Sequence, residues 1–303
     1  MTDLSPRRAT VYVAIAAAAW GTGGAAGALL FTSGGLDPLD VSFWRYLLGA
    51  AFLLPLTSPR LWRPNGRVAV VGLGMAVYQT AYFAAIAESG VAVATVVTMG
   101  ATPLFTALGS RLFLGERLGR AGLVALLTAL AGLFLLTGGN APAEGAGGSG
   151  GGGPAGVGLA LLSAAGYAAV TLFSRRHRDE PEGMAVGGFV VGAVCLAPLA
   201  LAGGALPQVS WESVALLVYL GVVPTALAYG LFFRALTVLP ATTVSVVSLG
   251  EAAGAAVLGV LLFGERLTPA AWTGCVLLLL AMVMPSVLPS VARAARRRRS
   301  RLL

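Results

Sequence analysis

Long apolar runs, separated by short polar segments, follow one another along most of the chain. Each run approaches the roughly 20 residues that an α-helix needs to cross the hydrocarbon core of a bilayer. The runs predict membrane helices near residues 11–31, 41–57, 68–87, 91–110, 121–138, 156–174, 184–202, 213–233, 241–263 and 270–288. The pattern therefore predicts an all-α membrane protein with ten transmembrane helices.

An internal repeat divides the chain into two halves. The sequence FLGERL at residues 113–118 returns as LFGERL at residues 262–267, each time at the end of a long apolar run. Aligning the halves places Trp20 opposite Tyr167, which indicates a duplicated five-helix domain. The predicted organisation is a first repeat at 11–138, a flexible glycine-rich linker at 139–154, a second repeat at 155–288 and a basic cytoplasmic tail at 289–303.

The distribution of arginine predicts the orientation in the membrane. Basic residues are retained on the cytoplasmic side of membrane helices. Nearly all of the arginines lie at the termini or in alternate connections, whereas the remaining connections carry acidic residues and only Arg266. Both termini are therefore predicted to be cytoplasmic. Because five helices per half is an odd number, the second half must enter from the opposite face, and the two five-helix repeats are predicted to be inverted.

Composition and charge exclude several classes of protein. The chain is 57% hydrophobic and 11% charged, far outside the range of soluble domains. Its net charge of +8 comes from arginines grouped between apolar runs, not from a basic amphipathic face, so no nucleic-acid partner is expected. The sequence contains no lysine for a nucleotide-binding loop, and His177 is its single histidine. We therefore expect no ATP-driven step, no metal site and no cofactor.

One acidic residue is predicted to lie deep in the membrane. Glu251 is midway along the run 241–263, and small residues flank it on both sides. An ionisable side chain in hydrocarbon is unfavourable unless it faces a cavity or a partner. It is interpreted either as a carboxylate that binds a cationic substrate group or carries a proton, or as a structural glutamate that links helices.

Aromatic and polar residues supply further candidates for a substrate site. Trp20 lies among glycines that permit a broken or closely packed helix. Tyr78 and Tyr82 are four residues apart, which places them on one helical face, with Gln79 beside them. Each of these tyrosines is equally compatible with lipid-facing packing. The complete candidate substrate-binding set is Trp20, Tyr78, Gln79, Tyr82, Tyr167, Tyr229 and Glu251.

Three further residues are candidates for structural or gating roles. Arg45 lies about four residues inside its helix, with Asp40 and Glu88 as candidate ion-pair partners. Thr102 can satisfy a helix carbonyl or face a cavity. Pro103 is predicted to kink the fourth helix.

These residues together resemble a known family. Trp20-Gly21, Arg45, Thr102-Pro103-Leu104-Phe105 and the Gly-Glu-Arg-Leu endings of both halves resemble the EamA-type transporters of the drug/metabolite transporter superfamily, over nearly the whole chain. The resemblance implies inverted repeats around a central cavity, location in the bacterial inner membrane, and outward transport of amino acids or other small metabolites. Two positions depart from the family pattern, Ala252 where proline is common and Tyr167 where tryptophan is common. The first departure predicts that a kink is missing.

The expected function is therefore secondary active transport, by alternating access, in a lipid bilayer. Proton coupling through Glu251 is a further hypothesis, and the oligomeric state is left open. Alternatives are a facilitative carrier or channel, and an exporter of drug-like compounds. A membrane-embedded lipid-modifying enzyme is a distant alternative, because it would need clustered acidic metal ligands and the four aspartates do not cluster.

Overall fold

The computed structural model describes residues 4–33, 35–57, 65–138, 154–179, 181–203, 210–263 and 266–299, and no strand occurs among them. The predicted all-α class is confirmed. The helices are α1 (Pro6–Ser33), α2 (Pro38–Leu53), α3 (Gly66–Phe113), α4 (Arg120–Gly138), α5 (Pro154–Arg176), α6 (Pro181–Gly203), α7 (Trp211–Gly221), α8 (Ala228–Leu236), α9 (Ala241–Ser248), α10 (Gly250–Phe263) and α11 (Pro269–Arg299). A 3₁₀ turn, Leu54–Leu56, extends α2, and a π-helical turn, Val222–Leu227, joins α7 to α8.

Membrane-crossing segments account for most of these helices. Within the described ranges, eight segments are long and apolar enough to cross a bilayer, and they coincide with the second to ninth predicted helices. They are Leu39–Leu56, Gly66–Ile86, Val93–Phe113, Arg120–Thr137, Pro154–Arg176, Pro181–Gly203, Trp211–Leu236 and Ala241–Leu261. A shorter apolar helix, Pro269–Met284, lies at the position of the tenth. The protein is therefore a multi-pass membrane protein, while the total of ten crossings stays a prediction.

The chain reverses direction inside α3 without a separate loop. Tyr82 and Thr95 would be about 20 Å apart along a straight helix, yet their hydroxyl oxygens are 2.7 Å apart. Contacts with α5 agree, since Ser163 donates to the carbonyl of Tyr78 whereas Thr98 donates to that of Ala160. The two halves of α3 are thus separate crossings, as the sequence predicts for 68–87 and 91–110.

Two later crossings are interrupted near their middles. Pro224 lies in the π-helical turn between α7 and α8, where its missing N–H leaves the helical ladder incomplete. The hydrogen bonding also breaks at Leu249, which separates α9 from α10. This break forms without a proline, and Ala252, where the resemblance predicts a missing kink, lies within the continuous helix α10. Pro103, in contrast, lies within α3, and the helix continues past it.

Glycines set the closest helix contacts. A Cβ atom on Gly21 would lie 3.0 Å from the backbone nitrogen of Ala255, so α1 and α10 meet backbone to backbone. In the same way, a Cβ on Gly132 would lie 2.8 Å from the carbonyl oxygen of Gly274, where α4 meets α11. Such approaches suit membrane helices, which associate by close packing of small residues. The small residues that flank Glu251 thus serve close helix approach.

Glu116, from the first copy of the repeated motif, links neighbouring helices at the end of the protein where arginines are grouped, here called the arginine-rich end. Gly115, at φ 66°, ends α3 in the left-handed conformation that glycine adopts readily. Glu116 then accepts hydrogen bonds from the Arg175 side chain, at 2.9 Å, and from the backbone of Ala241, at 3.2 Å. In the second copy, residues 264 and 265 lie outside the described residues, as does the predicted glycine-rich linker up to residue 153. Helix α11 continues to Arg299, beyond the predicted end at 288.

Candidate functional site

An aromatic cluster lies where α1, α3, α5, α6 and α8 meet. Tyr229, in the first turn of α8, is at its centre, with its ring centroid 5.0 Å from that of Trp20 and 5.3 Å from that of Phe189. The Tyr78 and Tyr167 rings meet edge to face at 5.4 Å. These separations are those of favourable aromatic pairs. The cluster therefore joins residues from both halves of the chain, including four of the predicted site residues.

A row of hydroxyl groups runs through this cluster. The hydroxyl oxygen of Tyr78 lies 2.7 Å from that of Tyr229 and 3.2 Å from that of Tyr46, so it links α8 to α2. Gln79 continues the row, because its side-chain oxygen accepts from the Tyr46 hydroxyl at 3.5 Å and its amide nitrogen donates to Ser42 at 3.0 Å. Buried polar groups usually have such partners, since an unpaired group costs about 1–3 kcal/mol. The row therefore holds the tyrosine rings in fixed positions.

Trp20 is an exception to this rule. Its side chain is only 7% exposed, and its indole Nε1 has no hydrogen-bond partner in the described part of the protein. The ring itself packs well, against Tyr229 and, at 5.5 Å, against Phe232. An N–H donor held in a packed aromatic cluster is thus left free to bind a further group.

Glu251 lies in the first turn of α10, directly after the break at Leu249. Its side chain is half-buried, and it makes no hydrogen bond or ion pair with any residue that the structure describes. The N-terminal turn of a helix favours a negative charge, and broken membrane helices present such ends to ligands. Arg45, Tyr82, Tyr167 and Tyr229 are close enough to interact with it electrostatically.

Arg45 faces the same region from α2. Its Nε donates to Thr225 Oγ1 at 3.2 Å, and that hydroxyl donates in turn to the carbonyl of Leu220 at 2.7 Å. Thr225 belongs to the π-helical turn, so this turn positions the guanidinium. Neither predicted carboxylate partner is used: Asp40 accepts from the backbone of Asp37, and Glu88 is exposed. Among the described side chains, none forms an ion pair with Arg45.

The remaining predicted residues have local partners. Tyr82 bonds to Thr95, and Gln79 turns towards α2, where it donates to Ser42. Tyr167 packs against the rings of Tyr78 and Phe232. Thr102 donates to the carbonyl of Thr98 one turn earlier, which agrees with its backbone-satisfying interpretation.

Sequence reasoning missed several members of the cluster. Tyr46 is fully buried at the end of the hydroxyl row, and Phe189, Phe232 and Thr225 pack around the site. Tyr46 had a usable signal, because it directly follows Arg45 in an otherwise apolar helix. The phenylalanines had none, since an apolar residue in a membrane helix is expected anywhere. In the described ranges, no three His, Cys, Asp or Glu side chains come together in a way that could hold a metal ion.

Comparison with known proteins decides the family. The EamA-like transporter family matches the chain twice, at residues 7–138 and at residues 154–287. The chain belongs to the EamA-like transporter family. It is 31% identical to "Uncharacterized transporter YwfM" of Bacillus subtilis (strain 168), over 94% of this chain and 96% of that one. It is also 28% identical to an "Uncharacterized transporter" of Archaeoglobus fulgidus, over 77% and 81% of the two chains.

A solved structure agrees with the EamA assignment at the level of the fold. A crystal structure with 23% sequence identity is similar with a TM-score of 0.81, over 94% of this chain and 98% of that chain. The resemblance noted from the motifs is therefore confirmed. As an EamA-like protein with multiple membrane crossings, the chain is a membrane transporter.

Proposed function

We propose that this EamA-like protein is a secondary active transporter that exports amino acids or related small metabolites by alternating access. The observation that carries the proposal is the Glu251 carboxylate. It lies at a helix break in a membrane-crossing segment, and it has no hydrogen-bond partner in the described part of the chain. Because such a group is unfavourable in hydrocarbon without a partner, a substrate ammonium group or a transported proton is its natural complement.

A second charge favours an amino acid over a simple amine. Only the Nε of Arg45 is used, by Thr225, which leaves its remaining N–H groups available to a carboxylate. Glu251 and Arg45 are near enough to interact electrostatically without forming an ion pair. A zwitterion between them would complement both charges at once. The free indole N–H of Trp20 offers one more donor, and the aromatic rings suit an apolar side chain.

Alternating access rests on the two halves acting as inverted repeats. The central cluster uses residues of both halves, and so does the contact of Glu116 with Arg175 and Ala241. Rocking one half against the other would change both contacts together, which is how inverted-repeat transporters expose one site to two sides. Under the predicted orientation, the Glu116 contact closes the cytoplasmic end. Opening towards the cytoplasm requires this contact to separate.

The experiment uses the purified protein in proteoliposomes. Uptake of labelled amino acids is measured with and without an imposed pH gradient, and the best substrate is then challenged with its decarboxylated and deaminated analogues. For Arg45→Gln we expect a KM about tenfold higher for the amino acid, since a charge-assisted hydrogen bond contributes roughly 1.5 kcal/mol. Inhibition by the decarboxylated amine should not change. Arg67→Gln, an exposed arginine at the start of α3, is the matched control.

Each other outcome favours a different function. Saturable flux that ignores the gradient would indicate a facilitative carrier. No flux of any amino acid would favour drug-like cargo. An equal rise in the inhibition constants of the amine and of the amino acid in Arg45→Gln would contradict carboxylate recognition by this arginine.

A further inference from the structure

A cavity of about 450 Å³ lies at the arginine-rich end, away from the central cluster. It is lined by Ala107 and Arg111 of α3 and by Arg117 and Leu118 of the connection to α4. The repeated motif builds it, because the left-handed Gly115 turns the chain back over the last turn of α3. The backbone N–H of Glu116 then donates to the carbonyl of Ser110 at 3.0 Å. Arg117 is thereby brought beside the end of the helix that carries Arg111.

The two arginines of this cavity have no bonded partner among the described residues. Four other arginines at the same end each donate to the protein, namely Arg175 to Glu116, Arg176 to Phe113, Arg178 to Thr237 and Arg234 to Glu182. Arg111 and Arg117 make no ion pair and no side-chain hydrogen bond with any residue in the described ranges. The carboxylate of Glu116, which directly precedes Arg117 in the sequence, is occupied by Arg175 and Ala241. The cavity therefore carries two uncompensated positive charges.

The position of the cavity indicates what can reach it. One membrane-crossing segment ends at Phe113 and the next begins at Arg120, so the cavity lies where hydrocarbon gives way to lipid headgroups. Leu104, Leu108 and Leu112 are four residues apart and form one row along α3, with exposures of 50%, 57% and 65%. An apolar row that leads to a pair of arginines matches the shape of a phospholipid, with acyl chains above and a phosphate below.

We propose that Arg111 and Arg117 bind the phosphate of an anionic phospholipid headgroup, while its acyl chains lie along the row of Leu104, Leu108 and Leu112. Guanidinium groups match phosphate geometry and bind it through paired N–H donors. Basic pockets between membrane helices are suited to anionic headgroups. A zwitterionic lipid brings its own positive charge to the same cavity and is the weaker ligand.

The test is native mass spectrometry of the delipidated full-length protein, titrated with phosphatidylglycerol or with phosphatidylcholine of identical acyl chains. We expect tighter binding of phosphatidylglycerol. Arg111→Gln and Arg117→Gln should each weaken it about fivefold, and the double variant about 25-fold, as expected for roughly one interfacial charge each. Arg67→Gln removes the same charge from another exposed position and should leave the affinity unchanged. The single variants keep the test usable if the double variant is unstable.

Three results would overturn the assignment. Equal affinity for the two lipids would show that the charge of the headgroup is not recognised. Equal weakening by Arg67→Gln would reduce the effect to net charge. Inorganic phosphate at millimolar concentration that displaces the lipid, and that binds lipid-free protein with the same dependence on both arginines, would make this a site for a soluble phosphate compound. Failure of amino-acid transport would not affect any of these readouts.

Discussion

The protein contains two glutamates that each directly follow a glycine but differ in their bonding. Glu116 lies in the connection after α3, and Glu251 lies in the first turn of α10. Glu116 has both carboxylate oxygens bonded, one to Arg175 and the other to Ala241. Glu251 has neither oxygen bonded within the described structure, although it lies in a membrane-crossing segment. The described protein supplies hydrogen-bond partners for the carboxylate of Glu116. It supplies none for the carboxylate of Glu251, whose partner must come from another molecule or ion.

This difference separates structural from functional polar groups in a membrane. A bonded carboxylate stabilises the arrangement of the helices that it joins, so its loss should appear first in stability. An unbonded one adds no stability and is retained at a cost. Its loss should appear in transport, with folding unchanged or improved. A Glu116 variant that changes only transport, or a Glu251 variant that changes only stability, would therefore contradict this distinction.

The largest effect is expected for Glu251→Gln. The substitution keeps the shape of the side chain and removes its charge, so recognition of an ammonium group and proton transfer are both lost. Transport should fall on the order of 100-fold, equivalent to the roughly 3 kcal/mol of a strong charge-assisted hydrogen bond. Its dependence on pH should also disappear. Both are measured by uptake into proteoliposomes across a pH series.

The matched control for this variant is Glu88→Gln, which makes the same change at an exposed position. It should transport at the rate of the unaltered protein. Unchanged transport and unchanged pH dependence in correctly inserted Glu251→Gln would make Glu251 a structural residue after all.

Glu116→Gln should give an intermediate effect, on stability. The substitution leaves Arg175 without its anionic partner in a contact where the side chains are only 12% and 21% exposed. We expect a loss of about 2 kcal/mol in the free energy of unfolding, measured as a lower melting temperature in detergent. Glu182→Gln is the matched control, because Glu182 pairs with Arg234 where both side chains are about half exposed. An exposed pair contributes less than about 1 kcal/mol, so equal losses in the two variants would contradict this explanation.

The smallest effect is expected from polar groups on the aromatic rings. Trp20→Phe removes an N–H that no described residue uses, whereas Tyr78→Phe removes a hydroxyl that bonds two other tyrosines. We expect Trp20→Phe to raise the KM about fivefold, for a lost hydrogen bond of about 1 kcal/mol to the substrate. Tyr78→Phe should instead lower the melting temperature. A lower melting temperature without a change in KM for Trp20→Phe would mean that the indole only packs.

The fold was largely predictable because hydrocarbon imposes a simple length rule. Eight predicted helices coincide with crossing segments to within a few residues at each end. The turn inside α3 was also predictable, since the run breaks at Glu88 and Ser89 even though no loop follows. The interruption at Leu249 was not, because no proline or glycine pair occurs before it and hydrophobic periodicity does not report a local change in hydrogen bonding.

The candidate site was only partly predictable, because the sequence of a helix shows which residues share a face but not which other helices pack against it. Polar and aromatic types alone indicated Trp20, Tyr78, Tyr229 and Glu251, which the structure brings to one region. The partner of Arg45 could not be predicted, since Thr225 is 180 residues away and is an ordinary residue for a membrane helix. The partner of Tyr82, which is Thr95, could not be predicted either, because a shared helical face does not show which neighbour a side chain meets.

The contact between Gly132 and Gly274 limits which substitutions this chain can accept during evolution. A Cβ on Gly274 would lie 2.5 Å from the carbonyl oxygen of Gly132, and one on Gly132 would meet the carbonyl of Gly274 at 2.8 Å. Even alanine, the smallest alternative, therefore forces α4 and α11 apart from either side. No single conservative substitution at either position preserves the contact. The last helices of the two halves, α4 and α11, therefore either retain both glycines or lose their close contact.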